Sequence, residues 1–422
     1  MRFLLNFSTK SAFVVESDKK VSVYIHFFLY FCGEFQTNLS MTPVELKQSA
    51  LRLLEDNILS FWWNQMRDPN GGFYGRMDGR GQLHPDAERG AVMNARLLWA
   101  FSAAYRVLHK PEYLEAADWA KDYIESHFLD HDYGGVYWSV NADGSPLDTK
   151  KQTYAIGFMI YGFSEYARAT GDEQAKQQAI ALYNAIEAHA YDAEHEGYLE
   201  AMTREWQPIA DMRLSDKDEN AAFTMNTHLH VLEPYTNLYR IWPDEHLAKK
   251  QRTLIRIFTD RLFNPSTHHV DCFFDNEWHG RRDIASYGHD IEAAWLLNEA
   301  TKVIQIEAIP QTTLIAQAAL EGLQADGSMI HENTDASRQW WVECEAVVGF
   351  VDQWSLTGDE TWYHRAAHTW KYLTTHLIDR NGGEFFWAIL PDGTPDTDND
   401  KAGFWKCPYH NSRMCLELIE RL

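Results

Sequence analysis

Apolar residues along this chain return with a period of about 3.6 positions, the mark of amphipathic helices. The spacing predicts helices over residues 43–66, 89–108, 111–128, 152–170, 172–190, 222–241, 245–263, 286–305, 310–324, 339–357, 359–377 and 408–421. They fall into six pairs, and within several pairs the link is tight: Leu108-His109-Lys110-Pro111, Thr170-Gly171-Asp172 and Thr357-Gly358-Asp359. Proline and glycine stop one helix there, and aspartate is placed to cap the next.

Longer segments lie between the pairs, and six of them join turn residues to aromatics. They are Gly71-Gly72-Phe73-Tyr74, Gly134-Gly135-Val136-Tyr137-Trp138, Gly197-Tyr198-Leu199-Glu200, Asp271-Cys272-Phe273-Phe274, Gly327-Ser328-Met329 and Gly382-Gly383-Glu384-Phe385-Phe386-Trp387. Such recurrence signals repeated supersecondary units before it signals separate domains. The expected architecture is all-α, an (α/α)6 barrel of twelve helices with short β-hairpins between helix pairs. An open solenoid is the alternative, but its repeats would recur in the helix sequences, and here only the hairpins recur. A closed barrel predicts a pocket where the N-termini of the inner helices meet the hairpins.

Composition narrows the function. The 422 residues include 61 acidic against 38 basic side chains, a net charge of −23. Nucleic-acid binding needs clustered Lys and Arg, and an anionic membrane surface repels such a chain, so neither is an expected partner. At 45% hydrophobic the chain can bury a large core. Cys32, Cys272, Cys344, Cys407 and Cys415 lack metal-finger spacing and read as free thiols in a reducing compartment, hence a cytoplasmic protein. Residues 1–40 stand apart: an apolar run from Val21 to Cys32 follows Lys19 and Lys20 but is too short to span a bilayer and is interrupted by His26. They are read as an N-terminal extension outside the fold, with export as the alternative, and 41–422 as one catalytic domain.

Polar residues on apolar faces supply candidate chemistry. Arg96 shares a stripe with Val92, Trp99 and Ala103, so its guanidinium needs either a buried acceptor or a ligand. Asn226, His230, Glu233 and Asn237 share a face; His228 points away from it, and Pro234 should kink the helix just beyond. His289 and Glu292 are three apart, a spacing that lets the carboxylate reach the imidazole, as a tuned base, an ion pair or half of a metal site. No second ligand pair stands out for zinc, and no metal is expected. Trp340 and Trp341 open one helix, with Glu345 on the Trp341 face; adjacent tryptophans suit a sugar ring and suit core packing. Trp405 and His410 sit at the start of the last helix. With 16 Trp, 20 Tyr and 22 Phe, an aromatic mouth suits a neutral polyhydroxylated ligand. Phosphate loops, dinucleotide fingerprints and nucleophile elbows are missing from the sequence.

From about Leu46 to Leu422 the chain resembles the N-acylglucosamine 2-epimerase superfamily, and within it most closely the branch acting on cellobiose. The resemblance rests on Asn94-Ala95-Arg96, Met225-Asn226-Thr227-His228-Leu229-His230-Val231-Leu232-Glu233, Ser286-Tyr287-Gly288-His289-Asp290-Ile291-Glu292, Trp340-Trp341-Val342 and Trp405-Lys406-Cys407-Pro408-Tyr409-His410-Asn411, together with the glycine-aromatic hairpins at 71–75 and 134–140. Pro234 and the leader depart from the pattern. The resemblance implies that His289 and His410 are the acid/base pair on opposite faces of a reducing-end sugar, with Glu292 orienting His289. It implies that Arg96, Asn226 and His230 hold the enediolate oxygens, that Tyr154 assists rearrangement of the opened sugar, and that Trp341, Trp405 and Trp340 stack on glycosyl units. It implies C2 epimerisation of a small-molecule disaccharide, without a cofactor, by a monomer or weak homodimer. The alternatives are a monosaccharide or N-acetylhexosamine 2-epimerase, an aldose–ketose isomerase, a glycoside hydrolase using Glu292 with Glu345 or Glu233, and a binding barrel without activity.

Overall fold

Proline, glycine and aspartate set the helix boundaries in this computed structural model, which describes residues 41–215, 218–280 and 284–422. The reading of 1–40 as an extension lies outside the described residues. The chain opens with α1 (Pro43–Leu53), continued by π-helical turns as far as Met66. Then follow α2 (Ala91–Leu108) and α3 (Pro111–His127), α4 (Thr153–Thr170) and α5 (Glu173–His189), and α6 (Met225–Ile241) and α7 (Glu245–Ile257). After these come α8 (Tyr287–Val303) and α9 (Pro310–Ala319), α10 (Trp340–Thr357) and α11 (Glu360–His376), and finally α12 (His410–Arg421). Gly171 (φ 77°) and Gly358 (φ 70°) end their helices in the left-handed region that glycine adopts without steric cost. The side chains of Asp172 and Asp359 then cap α5 and α11.

The even-numbered helices form the inner ring. Each packs on the next, α2 on α4, α4 on α6, and so on to α12, and α12 returns to α2. That last contact closes the (α/α)6 barrel and excludes the solenoid. Odd helices pack outside their partners, with α1 against α12. Burial follows the layers: α4 hides every residue from Thr153 to Ala167, whereas α5 hides only the stripe Ala175, Ala179, Leu182, Tyr183 and Ile186.

Two-residue strands tie the turns together ahead of the inner helices. Arg89 pairs with Val140, Lys151 with Met202, Phe223 with Phe274 and Arg338 with Ile389, each partner the same distance further along the chain. Three expected helices finish in turns that are not α-helical. The segments 54–66 and 258–262 are partly π-helical and 320–322 is a 3-10 turn, and Arg67, Phe263 and Leu323 then turn extended to begin hairpins. Cys344, Cys407 and Cys415 are buried free thiols, and Cys272 is buried as well. Among the described residues no helix is long and apolar enough to cross a membrane.

Helix α6 continues on both sides of Pro234, the residue at which the sequence predicts a kink. Proline lacks the N–H that would bond the His230 carbonyl, and Gly157 of α4 lies against that oxygen, where a Cβ would stand 2.5 Å away. Gly157→Ala would gain up to about 1 kcal/mol of helix propensity but must displace backbone, an overpacking cost of about 1–3 kcal/mol. The expected result is net destabilisation, read as a lower denaturation midpoint; an unchanged or raised midpoint would refute the close approach.

Candidate active site

The helix starts of the inner ring converge on one mouth of the barrel. There a cleft of about 390 Å³ is lined by residues from all six inner helices and from the hairpins beside them. It collects Arg96, Tyr154, Asn226, His230, His289, Glu292, Trp340, Trp341, Trp405 and His410, all ten residues to which the resemblance gives a role, whereas Glu233, Asn237 and Glu345 do not line it. A second lobe of about 380 Å³ shares Asn226, His289, His331 and Gln339 with it. At the opposite mouth lies a cavity of similar size, but its side chains pair with one another, Arg106 with Glu165 and Glu420, Arg421 with Asp352 and Glu417. The first mouth carries the unmatched chemistry.

His289 and His410 both pack against the indole of Trp341, at centroid distances of 4.8 and 5.6 Å. Each uses Nδ1 within the protein. His289 shares a 2.7 Å hydrogen bond with the Ser286 hydroxyl, and His410 donates to Glu345 Oε1 at 2.7 Å. Neither Nε2 has a partner among the described residues. Burial holds both imidazoles well below the ordinary histidine range, so both are neutral near pH 7. The expected contact between Glu292 and His289 does not form: Ser286 takes the His289 nitrogen, and Glu292 is drawn to Arg413 instead.

Arg413 of α12 organises the floor. Its Nη2 donates to Glu292 and to Glu345, both at 2.6 Å, while Nη1 donates to Glu233 and to the Tyr409 hydroxyl. All three carboxylates are almost completely buried. Three negative charges against one cation cannot persist at low dielectric, and the cluster resolves this by keeping a proton. Glu233 is held down at about 2: burial would raise it, but Arg413 and hydrogen bonds from His230 and Tyr409 overcome the burial. Glu345 is also raised by burial, but Arg413 and Trp295 pull it back. Both its oxygens are occupied, by Arg413 with His410 and by Trp295 Nε1 at 2.9 Å, which favours its ionised form over that of Glu292. Glu292 is pushed up to about 8, first by burial and then by the Glu345 charge, and its Oε2 has no partner. The proton therefore resides on Glu292. Glu292, Glu345 and His410 bring ligand atoms within 4.8 Å of one another, the spacing of a metal site, but Arg413 supplies the cation there.

Arg96 is buried and meets no carboxylate among the described residues. It donates to the Tyr154 hydroxyl at 2.8 Å, reaches Cys407 Sγ at 3.9 Å and lies over the rings of Phe158 and Tyr409. Tyr154 is raised above the usual tyrosine range by burial, so it stays a phenol. Arg96 Nε, Asn226 Oδ1, Glu292 Oε2 and the Trp340 indole N–H are buried and unpaired around the cleft, donors and acceptors for a hydroxyl-rich ligand. His228 faces away as expected: its Nδ1 meets the Thr224 carbonyl and its Nε2 accepts the Tyr198 N–H, stapling a hairpin to α6.

Several participants were missed from sequence. Arg413 and Tyr409 lie four residues apart on the His410 segment, and a helical-face reading of α12 would have found the arginine. Trp387, tilted against Trp340 at a centroid distance of 4.6 Å, came within a recurring hairpin but was not assigned to the cleft. His331 stands 5.7 Å from Trp341 and sits in an irregular loop without periodic signal.

Residues 72–413 match the family model described as N-acylglucosamine 2-epimerase (GlcNAc 2-epimerase). The chain belongs to the N-acylglucosamine 2-epimerase family. Relatives within reach are a cellobiose 2-epimerase of Bacteroides fragilis, 50% identical over 89% of this chain and 98% of that one, and one of Ruminococcus albus, 38% identical over 87% and 97%. Among solved structures, a cellobiose 2-epimerase from Bacillus thermoamylovorans superimposes with a TM-score of 0.86 at 41% identity, over 89% of this chain and 99% of that one. For this epimerase-family floor, the proton on Glu292 has a measurable consequence. A buried carboxyl with a raised pKa binds a proton that the unfolded chain has lost, so its contribution makes stability decline between about pH 4.5 and pH 8. Glu292→Gln should flatten that decline with little loss at neutral pH. Glu233→Gln, replacing an ionised partner of Arg413, should cost about 3–5 kcal/mol. Urea midpoints across that pH range test both; equal penalties at pH 7 would contradict the assignment.

Proposed function

We propose that this chain is a cellobiose 2-epimerase, interconverting cellobiose and 4-O-β-glucosyl-mannose at C2 of the reducing-end sugar, with lactose and mannobiose as further substrates. The observation that carries the reading is the pair His289 and His410: two neutral imidazoles against one tryptophan in the same cleft, each with Nδ1 engaged and Nε2 left for the cleft.

A C2 proton is acidic only when the sugar ring has opened and the adjacent carbonyl oxygen is stabilised. Inversion through a planar enediolate then needs a proton taken from one face and returned to the other, so two histidines from different helices are required. One neutral imidazole accepts the C2 proton at Nε2. The other is charged only for the turnover, the carboxylate cluster holding the proton that it needs, and delivers one from Nε2 to the opposite face. Arg96, a buried cation free of any carboxylate, with Asn226 and His230, stabilises the enediolate oxygens. Tyr154, bonded to Arg96, guides rotation of the opened chain. Trp341 and Trp405, both partly exposed in the cleft, stack on the sugar rings, whereas Trp340 is only 3% exposed and backs them. Glu292 holds a proton 4.0 Å from both His410 Nδ1 and His230 Nε2 rather than orienting His289.

The hydrolase alternative finds little support. Glycosidase carboxylates flank a bond at separations of roughly 5–9.5 Å, whereas Glu292 and Glu345 converge on a single nitrogen of Arg413. A cytoplasmic location and a monomeric or weakly dimeric state complete the proposal; a net charge of −23 favours separate copies.

Proton NMR of the protein with cellobiose in D2O tests the reading. Expected is a mannose-type anomeric signal with deuterium at C2; free glucose would replace epimerase with hydrolase. His289→Ala and His410→Ala should each lower kcat by about 10²–10⁴-fold. Because burial depresses both histidines, kcat/KM should hold to below the ordinary histidine value of about 6.5 and fall only when both imidazoles are protonated. It should fall again as pH rises through about 8, where Glu292 gives up the cluster's proton.

A further inference from the structure

A third imidazole stands at the mouth outside the acid/base pair. His331 lines both the cleft and the second lobe, from a loop between α9 and α10. Asn333 fastens that loop beside the start of α8: its N–H donates to the Ala285 carbonyl at 3.0 Å, and its Oδ1 accepts the Ala285 N–H at 3.3 Å. Asp335 then sets the side chains. Its Oδ2 accepts from His331 Nδ1 at 3.1 Å, from the Ser337 hydroxyl at 2.9 Å and from Gln339 Nε2 at 3.3 Å. Gln339 in turn accepts the Trp341 indole N–H at 2.9 Å, so one carboxylate orients His331 and steadies the tryptophan beside it. A neutral imidazole whose Nδ1–H donates to a carboxylate keeps its lone pair on Nε2. His331 Nε2 has no partner among the described residues and is left for what enters the lobe.

Only part of the site reaches that lobe. His289 and Asn226 line both spaces, whereas Arg96, Tyr154, His230 and His410 line the cleft alone. On the epimerase reading above, on which this inference rests, C2 lies between the two catalytic imidazoles and the oxygen on C1 lies at Arg96. C3 and C4 leave C2 away from Arg96, past His289, and C4 carries the glycosidic bond of a β-1,4-linked disaccharide. The second ring therefore enters the lobe that His331 borders. We propose that His331 is a specificity-determining residue whose Nε2 accepts a hydrogen bond from a hydroxyl of the glycosyl ring, with Asp335 as the positioning residue that turns it there. Asp218 and Glu332 border the same lobe, a wall of acceptors suited to hydroxyl donors. The contact adds affinity for a disaccharide that a monosaccharide does not collect, and it lies away from the carbon that reacts.

The test removes the hydroxyl from the sugar as well as the imidazole from the protein. Cellobiose and four analogues, each lacking one hydroxyl of the non-reducing ring (position 2, 3, 4 or 6), are given to the full chain, and initial epimerisation rates are read by proton NMR. For the wild-type protein at least one analogue should show a KM about 3–10-fold above that of cellobiose, the net worth of one hydrogen bond. His331→Ala should raise the KM of cellobiose by a similar factor with little change in kcat, and should erase the penalty on that analogue. His331→Gln, whose Oε1 can stand in for Nε2, should restore it, and Asp335→Ala should shrink it. A purely structural role for the loop would lower the thermal midpoint, or the rate on all five sugars alike, and leave their ranking intact. No weakened analogue in the wild-type protein, or the same ranking in His331→Ala, would overturn the proposal. Absence of any epimerisation by the wild-type protein would instead sink the functional reading, and the proposal with it.

Discussion

One guanidinium, Arg413, holds the centre of this barrel. It receives carboxylates from α6, α8 and α10 and stands on α12, so four of the six inner helices meet at a single side chain. Buried ion pairs contribute little net stability once desolvation is counted, but removing one partner from such a cluster is costly. The arrangement thus enforces specificity of assembly: inner helices in any other order would leave charges unmatched in the core. The same cation decides which carboxylates ionise. Glu233 is the natural anion; burial raises both Glu345 and Glu292, and the pair keeps its proton on Glu292, whose second oxygen has no partner.

That electrostatic arrangement reaches the cleft through His410. Glu345 is anchored by Arg413 and Trp295, and its oxygen fixes the His410 tautomer with Nε2 outward. His289 reaches the same outward pose by a different route, through a serine at a helix start. Two imidazoles thus present alike to the substrate but are wired differently behind, one to a sealed carboxylate and one to a hydroxyl beside a cavity. Between them Arg96 is left a cation without a carboxylate, kept solvated by aromatic faces and a phenol. Pairing it would have spent the charge that an enediolate needs.

The mouth itself is built by repetition. Each short strand ahead of an inner helix finds its partner one helix pair later, at a constant register, so the hairpins lock successive units edge to edge and aim the helix starts inward. Helix beginnings, with free N–H groups and turn residues, tolerate polar side chains that mid-helix core positions would exclude. Arg96, His230 and Glu292 lie one turn or so inside those starts, where they remain reachable from the cleft and still belong to the core.

The sequence by itself determined the helices, their pairing and the residues gathered at the mouth. Those follow from local chemistry: apolar period, glycine at φ above zero, aspartate caps and aromatic turns are written within a few positions of each other. Pro234 shows the limit of such reading, since the residue alone does not reveal that Gly157 on a neighbouring helix packs against the His230 carbonyl that proline leaves without its N–H. The pairing of side chains across helices was decided only in the tertiary structure. His289 and Glu292 sit at a spacing that permits contact, but Arg413, far along the chain, offers Glu292 a full charge in a dry interior, and an imidazole cannot compete with that. Glu345 reached His410, Ser286 reached His289, and the proton settled on Glu292 for the same reason. Electrostatic preference in a low-dielectric core depends on which charges stand within a few ångströms, and only the closed barrel brings them there.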